Sequence, residues 1–344
     1  MNSQLEAYKK KTIAEISQVY YSRVSSLANQ LNQNISYINS LRISVSLKRR
    51  YINNYISNYN AAVNKLKTKF TADVRAINLL TQIPGLLKAQ KKALLVGINY
   101  KGTRNELYGC INDTNNIKNL LEQKFAFQNY VFLTDDTNKK PTKQNIIDEL
   151  TSLLVNAVSG DTLFFLYSGH GTYTTDLNKD ELDGQDELIV PLDATSIKTC
   201  ILDDDLNKII QTNIKPNVKL FMLFDSCFSG TVVDLKYNYL DSDNLNNLTT
   251  NPNVLETSGQ VIMISGCKDS QTSADAYVNY EGKNTSSGAM TFSFLQTIQN
   301  LGTNISFKAL IEGMRAILKK DGYDQIPQLS SGKAIDINTL LVPL

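Results

Sequence analysis

The segment Asp161–Gly171, DTLFFLYSGHG, decides the fold. From Leu163 to Tyr167 it is apolar without a break, and it stops at Ser168-Gly169-His170-Gly171. A short continuous apolar run between turn residues reads as a strand buried on both faces. His170, just past its C-terminal end, is the only histidine in 344 residues. Two other stretches share the design: VKLFMLFDSCFSG at Val218–Gly230 and GQVIMISGCKD at Gly259–Asp269. Each is an apolar run that ends in a loop of small and reactive residues.

The chain around these runs alternates strands with helical periods. ALLVGINY (Ala93–Tyr100) and YVFLTDD (Tyr130–Asp136) read as strands. DTNNIKNLLEQKF (Asp113–Phe125), TKQNIIDELTSLLVNAV (Thr142–Val158) and DDDLNKIIQTN (Asp203–Asn213) read as helices with polar starts. Two more helices are expected near 288–300 and 306–320, and a last strand around IPQLSSG. The pattern predicts an α/β protein with a central, mostly parallel sheet flanked by helices. In such sheets the ligand site lies beyond the carboxyl ends of the strands.

The first 85 residues differ. Apolar residues recur in helical steps from Ile13 to Leu41 and again from Ile52 to Ile77, divided by LKRRY at Leu47–Tyr51. This predicts a helical arm, as a hairpin, a short coiled coil or an amphipathic segment packed on the body. IPGLLKAQKK (Ile83–Lys92) reads as the linker. Net charge is +2 overall, but residues 1–86 carry a balance of +9 and the rest −7. Such an arm could attract nucleic acid or membrane, or dock on its own body; dilution by Asn, Ser and Tyr argues against nucleic acid. No run suits a membrane span, and the N-terminus lacks the apolar core of a signal peptide, so a cytoplasmic protein is expected.

Composition excludes some chemistry. One histidine and four scattered cysteines (Cys110, Cys200, Cys227, Cys267) with no CxxC pair rule out a His-rich or ribbon-type zinc site. They also disfavour a dithiol redox protein. His170 and Cys227 each follow their own strand, and adjacent parallel strands bring such residues to one edge. A thiol of ordinary pKa is mostly protonated at neutral pH, and an imidazole beside it supplies the base. Gly171 lets its N–H approach a substrate carbonyl, and with the Cys227 N–H it could receive an oxyanion. A lone histidine or cysteine usually has a structural role; the paired placement favours catalysis. Asp225, two residues before Cys227, and Asp113 would face a cationic substrate side chain. Asp113 as a helix N-cap is the rival reading.

Seven blocks, KALLVGINY, LYGCINDTNNI, FFLYSGHGT, DELIVPLDA, ILDDDLNKI, LFDSCFSGT and QIPQLSSG, resemble those of metacaspases, a family of caspase-like cysteine peptidases. The resemblance runs from about Lys91 to the C-terminus. It implies a caspase-like α/β sandwich with a sheet of six or more strands and a His170–Cys227 dyad. It implies cleavage of protein substrates after Arg or Lys, with Cys110, Asp113, Ser168 and Asp225 lining the pocket for that residue. It further implies activation by calcium held by Asp186, Asp203, Asp204 and Asp234, with Glu187 an alternative to Asp186. Helix capping is the plainer reading of Asp203 and Asp204. The implied organisation is type I-like: an arm (1–85) and a peptidase domain (86–344), divided into a large part (about 90–235), a loop (234–257) and a small part (about 258–344). The helical, proline-poor arm departs from the Pro/Gln-rich or zinc-finger prodomain of that type. A monomer is implied, and self-cleavage is conceivable after Lys88, Lys91, Lys92, Lys236 or within Lys48–Arg50. A non-catalytic interaction protein using the arm is the alternative from another class.

Overall fold

The structure, a computed structural model, describes residues 2–80, 89–175, 185–226, 233–239, 248–251, 254–266, 275–280 and 283–338. The chain divides into two compact units, Met1–Lys88 and Ala89–Leu344.

The first unit holds two long helices, α1 (Asn2–Ser40) and α2 (Val45–Asn78). They run antiparallel: Lys9 Nζ reaches Asn78 O (3.2 Å), Tyr20 stacks on Phe70 (4.7 Å between centroids), and Lys48 Nζ reaches Asn39 O (2.6 Å). The break falls at residues 41–44, and LKRRY lies inside α2. The reason is local. Ser44 is extended and its hydroxyl accepts from Leu47 N, which starts the second helix three residues before the charged cluster.

The second unit is built on an eight-stranded sheet. In chain order its elements begin with β1 (Lys91–Gly97), α3 (Cys110–Phe125), β2 (Asn129–Thr134), α4 (Lys143–Val155), β3 (Thr162–Ser168), β4 (Gly171–Thr175) and β5 (Gln185–Ile189). Then come β6 (Ile201–Leu202), α5 (Asp203–Asn213), β7 (Lys219–Asp225), β8 (Tyr237–Asn238), β9 (Thr249–Thr250) and β10 (Gln260–Ser265). The last are β11 (Asp275–Tyr280), β12 (Lys283–Gly288), α6 (Ala289–Leu301), α7 (Phe307–Lys320) and β13 (Gln328–Ser331). The main sheet has the order β2-β1-β3-β7-β10-β13-β8-β9. Its first five strands are parallel; β13, β8 and β9 add antiparallel.

Alternation along the strands makes two apolar layers. Ala93, Leu95, Phe164, Leu166, Phe221 and Leu223 face one layer, where α3, α6 and α7 supply Ile117, Phe294 and Leu310. Leu94, Val96, Phe165, Tyr167, Met222 and Phe224 face the other, where α4 and α5 supply Leu150 and Leu206. All seven residues of β3 are buried, which is why its sequence shows no polar alternation. The sandwich matches the expected α/β class, with more antiparallel edge than the apolar runs suggested. Two small sheets, β4-β5-β6 and β11-β12, were not anticipated. Their strands, such as GTYTT and KNTSSG, are polar and carry no apolar run.

Candidate active site

The register of β3 on β7 organises the site. Ser168 pairs with Asp225, so the chain leaves both strands at the same height, side by side. His170 lies two residues beyond the first and Cys227 two beyond the second. Cys227 lies outside the described residues; Ser226, to which it is bonded, is buried.

His170 is half-buried. Its Nε2 lies 2.7 Å from Asn105 O, and its ring rests on Tyr100 at 4.6 Å between centroids. A carbonyl only accepts, so Nε2 carries a proton and donates to it. In the neutral ring the basic nitrogen is then Nδ1. Asn105 is on the loop between β1 and α3, and sequence reasoning missed it because a backbone carbonyl has no residue signature. Gly171 opens β4, where it pairs with Ile189.

The acidic residues near the strand ends converge. Asp113 is fully buried and accepts from Ser168 Oγ (2.7 Å), Ser287 Oγ (2.5 Å) and Gly288 N (3.1 Å to each oxygen). Asp225, also buried, accepts from Thr291 N (2.7 Å) in the first turn of α6. Gly288 lies between the two carboxylates: a Cβ there would overlap Asp225 Oδ2. Burial, and then the charge of Asp225, hold the Asp113 carboxyl well above the usual carboxylate range. No basic side chain among the described residues forms an ion pair with Asp113. Asp113 is not a cap. Helix α3 begins three residues earlier, after Gly109, which has no side chain to cap it. Cys110, the first residue of α3, is buried a turn before Asp113. Ser287 and Gly288 were missed by sequence reasoning. They come from the polar segment before α6, some 175 positions from Asp113.

The residues read as calcium ligands collect around the start of α5. Asp203 is its first residue and is 1 % exposed. Its Oδ2 accepts from Glu187 N (2.5 Å) and its Oδ1 from Asp204 N (2.7 Å). Burial first, with Asp186 adding repulsion, pushes its pKa up to about 7. Asp186 and Glu187 are both buried on β5 and both adjoin Asp203, so neither is singled out. Asp234, with φ of 44°, lies one turn along: Asn207 Nδ2 donates to its carbonyl at 2.8 Å. Buried carboxylate oxygens suit calcium as donors. Among the described residues, however, no three acidic, histidine or cysteine side chains come together as a metal-holding group.

Known proteins match this chain. The family model described as metacaspase, peptidase C14 domain, matches residues 91–236. A Metacaspase-1 of Meyerozyma guilliermondii is 39 % identical over 298 residues, covering 72 % of this chain and 71 % of that protein. A Metacaspase-1 of Schizosaccharomyces pombe is 35 % identical over 305 residues, covering 74 % and 70 %. A crystal structure of a Geobacter sulfurreducens protein covers 73 % of this chain and 98 % of its own, with a TM-score of 0.52 and 22 % identity, a likeness of fold.

Proposed function

The chain belongs to the metacaspase family of caspase-like cysteine peptidases, and on that premise we propose that it hydrolyses peptide bonds after Arg or Lys through a His170–Cys227 dyad. The observation that carries the dyad is the Ser168–Asp225 register together with the Nε2–Asn105 hydrogen bond. Nδ1 takes the thiol proton of Cys227 as sulfur attacks the scissile carbonyl. The tetrahedral oxyanion is received by the backbone N–H groups of Gly171 and Cys227. The imidazolium then protonates the leaving amine, leaving a thioester on Cys227. Water, deprotonated by the same ring, hydrolyses the thioester and restores the thiol.

Preference for a cationic side chain is supported by Asp113 and Asp225 meeting at Gly288. Two buried like charges repel, and a guanidinium between them relieves both the repulsion and the proton held on Asp113. Ser168 and Ser287 hydroxyls hold Asp113 and can turn to the ligand. Calcium stimulation is supported by the chemistry of Asp186, Asp203, Asp204 and Asp234; no step of the hydrolysis is routed through the ion. Self-processing is proposed after Lys88, which stands in the sequence linker IPGLLKAQKK. Lys91 and Lys92 lie in β1, Lys48–Arg50 in α2, and Lys236 O accepts from Asn251 N (2.9 Å), so these are tied into ordered backbone that a protease cleft must first unpick. Lys88 lies outside the described residues, at the boundary between the two units. A monomer is supported by β8 and β9, which continue the sheet past β13.

The test is hydrolysis of fluorogenic peptides ending in Arg, Lys or Asp, with and without calcium. Wild type is expected to cleave the Arg and Lys peptides, and Cys227→Ala neither. Cleavage of the Asp peptide alone would overturn the acidic pocket. Unchanged rates after chelation would overturn calcium stimulation.

A further inference from the structure

We infer that Tyr100, clamped by Asp135 and partnered by Tyr167, is the positioning residue that fixes the His170 backbone and ring for proton transfer. This rests on the peptidase reading above and assigns it a new part.

Tyr100 stands in the loop after β1, with φ of 51°. That left-handed conformation is costly for a bulky side chain, so something must hold it. Asp135 does. One carboxylate oxygen accepts from Asn99 N (2.7 Å) and the other from Lys101 N (3.0 Å), the amides on either side of Tyr100. Thr103 adds its hydroxyl to Tyr100 O at 2.8 Å. The strained turn aims the tyrosine beneath His170, and its ring lies against the imidazole.

The hydroxyl groups complete the lock. Tyr100 OH accepts from His170 N (2.9 Å) and donates to Val190 O (2.6 Å). Tyr167 OH donates to His170 O (2.8 Å) and accepts from Val190 N (3.1 Å). The His170 N–H is therefore tied through Tyr100 to Val190, the residue after β5, while His170 O is held by Tyr167 and by Val190 N directly (3.1 Å). The two hydroxyls also lie 3.3 Å apart, and Tyr167 OH is 3.0 Å from Val190 O, so the network closes on itself around Val190. Burial raises both phenol pKa values, so the hydroxyls stay protonated through the working range. Gly169 has its reason here. A Cβ would approach Tyr167 OH to 2.9 Å and Tyr100 OH to 3.0 Å, so the two phenols leave room only for hydrogen.

The chemistry needs this. Nδ1 must point at a sulfur two residues beyond a neighbouring strand, and a base displaced by an ångström loses rate steeply. Asn105 O sets the tautomer, while the tyrosines set where the ring stands.

Tyr100→Phe keeps the ring and removes only the hydroxyl. It is expected to lower kcat on an Arg peptide about 10- to 30-fold, with KM within about twofold of wild type. Asp135→Ala, which acts on the turn alone, is expected to do the same in lesser degree. A direct readout is available because His170 is the only histidine. Two-bond 1H–15N spectra of the imidazole report its tautomer and mobility without turnover. Wild type is expected to show one Nε2–H tautomer, and Tyr100→Phe an averaged or mixed signal. Wild-type kcat and an unchanged imidazole spectrum in Tyr100→Phe would overturn the inference. Should that variant fail to fold, Tyr167→Phe and Asp135→Ala carry the same expectations, and wild-type behaviour in both overturns it equally. If wild type cleaves none of the peptides, the peptidase reading fails, while the imidazole spectra still decide the positioning role.

Discussion

Asp113 makes the sharpest residue-scale prediction. Its proton is held by burial and by the charge of Asp225, and under the proposed Arg preference it must leave before the carboxylate can bind a guanidinium. KM for an Arg peptide is therefore expected to rise as pH falls through that raised pKa. Asp225→Asn removes the like charge and should move this limb to lower pH, which KM measured across pH would reveal. The same shift acts on stability. The native state binds this proton more tightly than the unfolded chain. Its contribution is complete below the ordinary carboxylate pKa and is lost as pH rises through the raised value. In Asp113→Asn the thermal midpoint should accordingly fall less with rising pH. Ser287→Ala deletes one hydrogen-bond donor to the buried Asp113 carboxyl and should cost about 1–3 kcal/mol of pocket order. That would appear as about a 10- to 100-fold rise in KM for Arg peptides.

At the scale of elements, the apolar runs were legible and the polar ones were not. The strands β1, β3, β7 and β10 announce themselves because both faces are buried, and α5, α6 and α7 keep helical spacing. The pairing of His170 with the Cys227 strand followed from two similar strand ends. Asn105, Ser287 and Gly288 did not, since a carbonyl, a hydroxyl and a missing Cβ acquire meaning only through long-range contact. Asp113 was open to a capping role because the start of α3 is marked by no capping side chain; Gly109 precedes it. The segment β12–α6 illustrates the point. Gly288 ends the strand, starts the helix and lets Asp225 approach. Gly288→Ala forces a methyl into that carboxylate, an overpacking worth about 1–3 kcal/mol. Loss of Arg-peptide hydrolysis with a lowered thermal midpoint is the expected result. By contrast, Ser44→Ala should cost only about 1 kcal/mol and touch the first unit alone, read as lost helicity with kcat unchanged.

For the whole molecule, the boundary between the two units falls beside Lys88. If the proposed self-processing occurs there, calcium-treated wild type should yield a body beginning at Ala89, and Cys227→Ala should stay intact. Mass spectrometry of both proteins checks this, and cleavage after Lys236 instead would overturn the assignment. No described helix is long and apolar enough to cross a membrane.

The strands β8 and β9 carry a different consequence. They lie in the stretch of chain between β7 and β10, yet β8 bonds to β13 and β9 bonds to β8 within the main sheet. A nick anywhere between Asn238 and Thr249 would leave each new end stitched into the same sheet. Two bands on a denaturing gel would then correspond to one particle in light scattering. Counting severed chains would overstate how far the molecule had come apart.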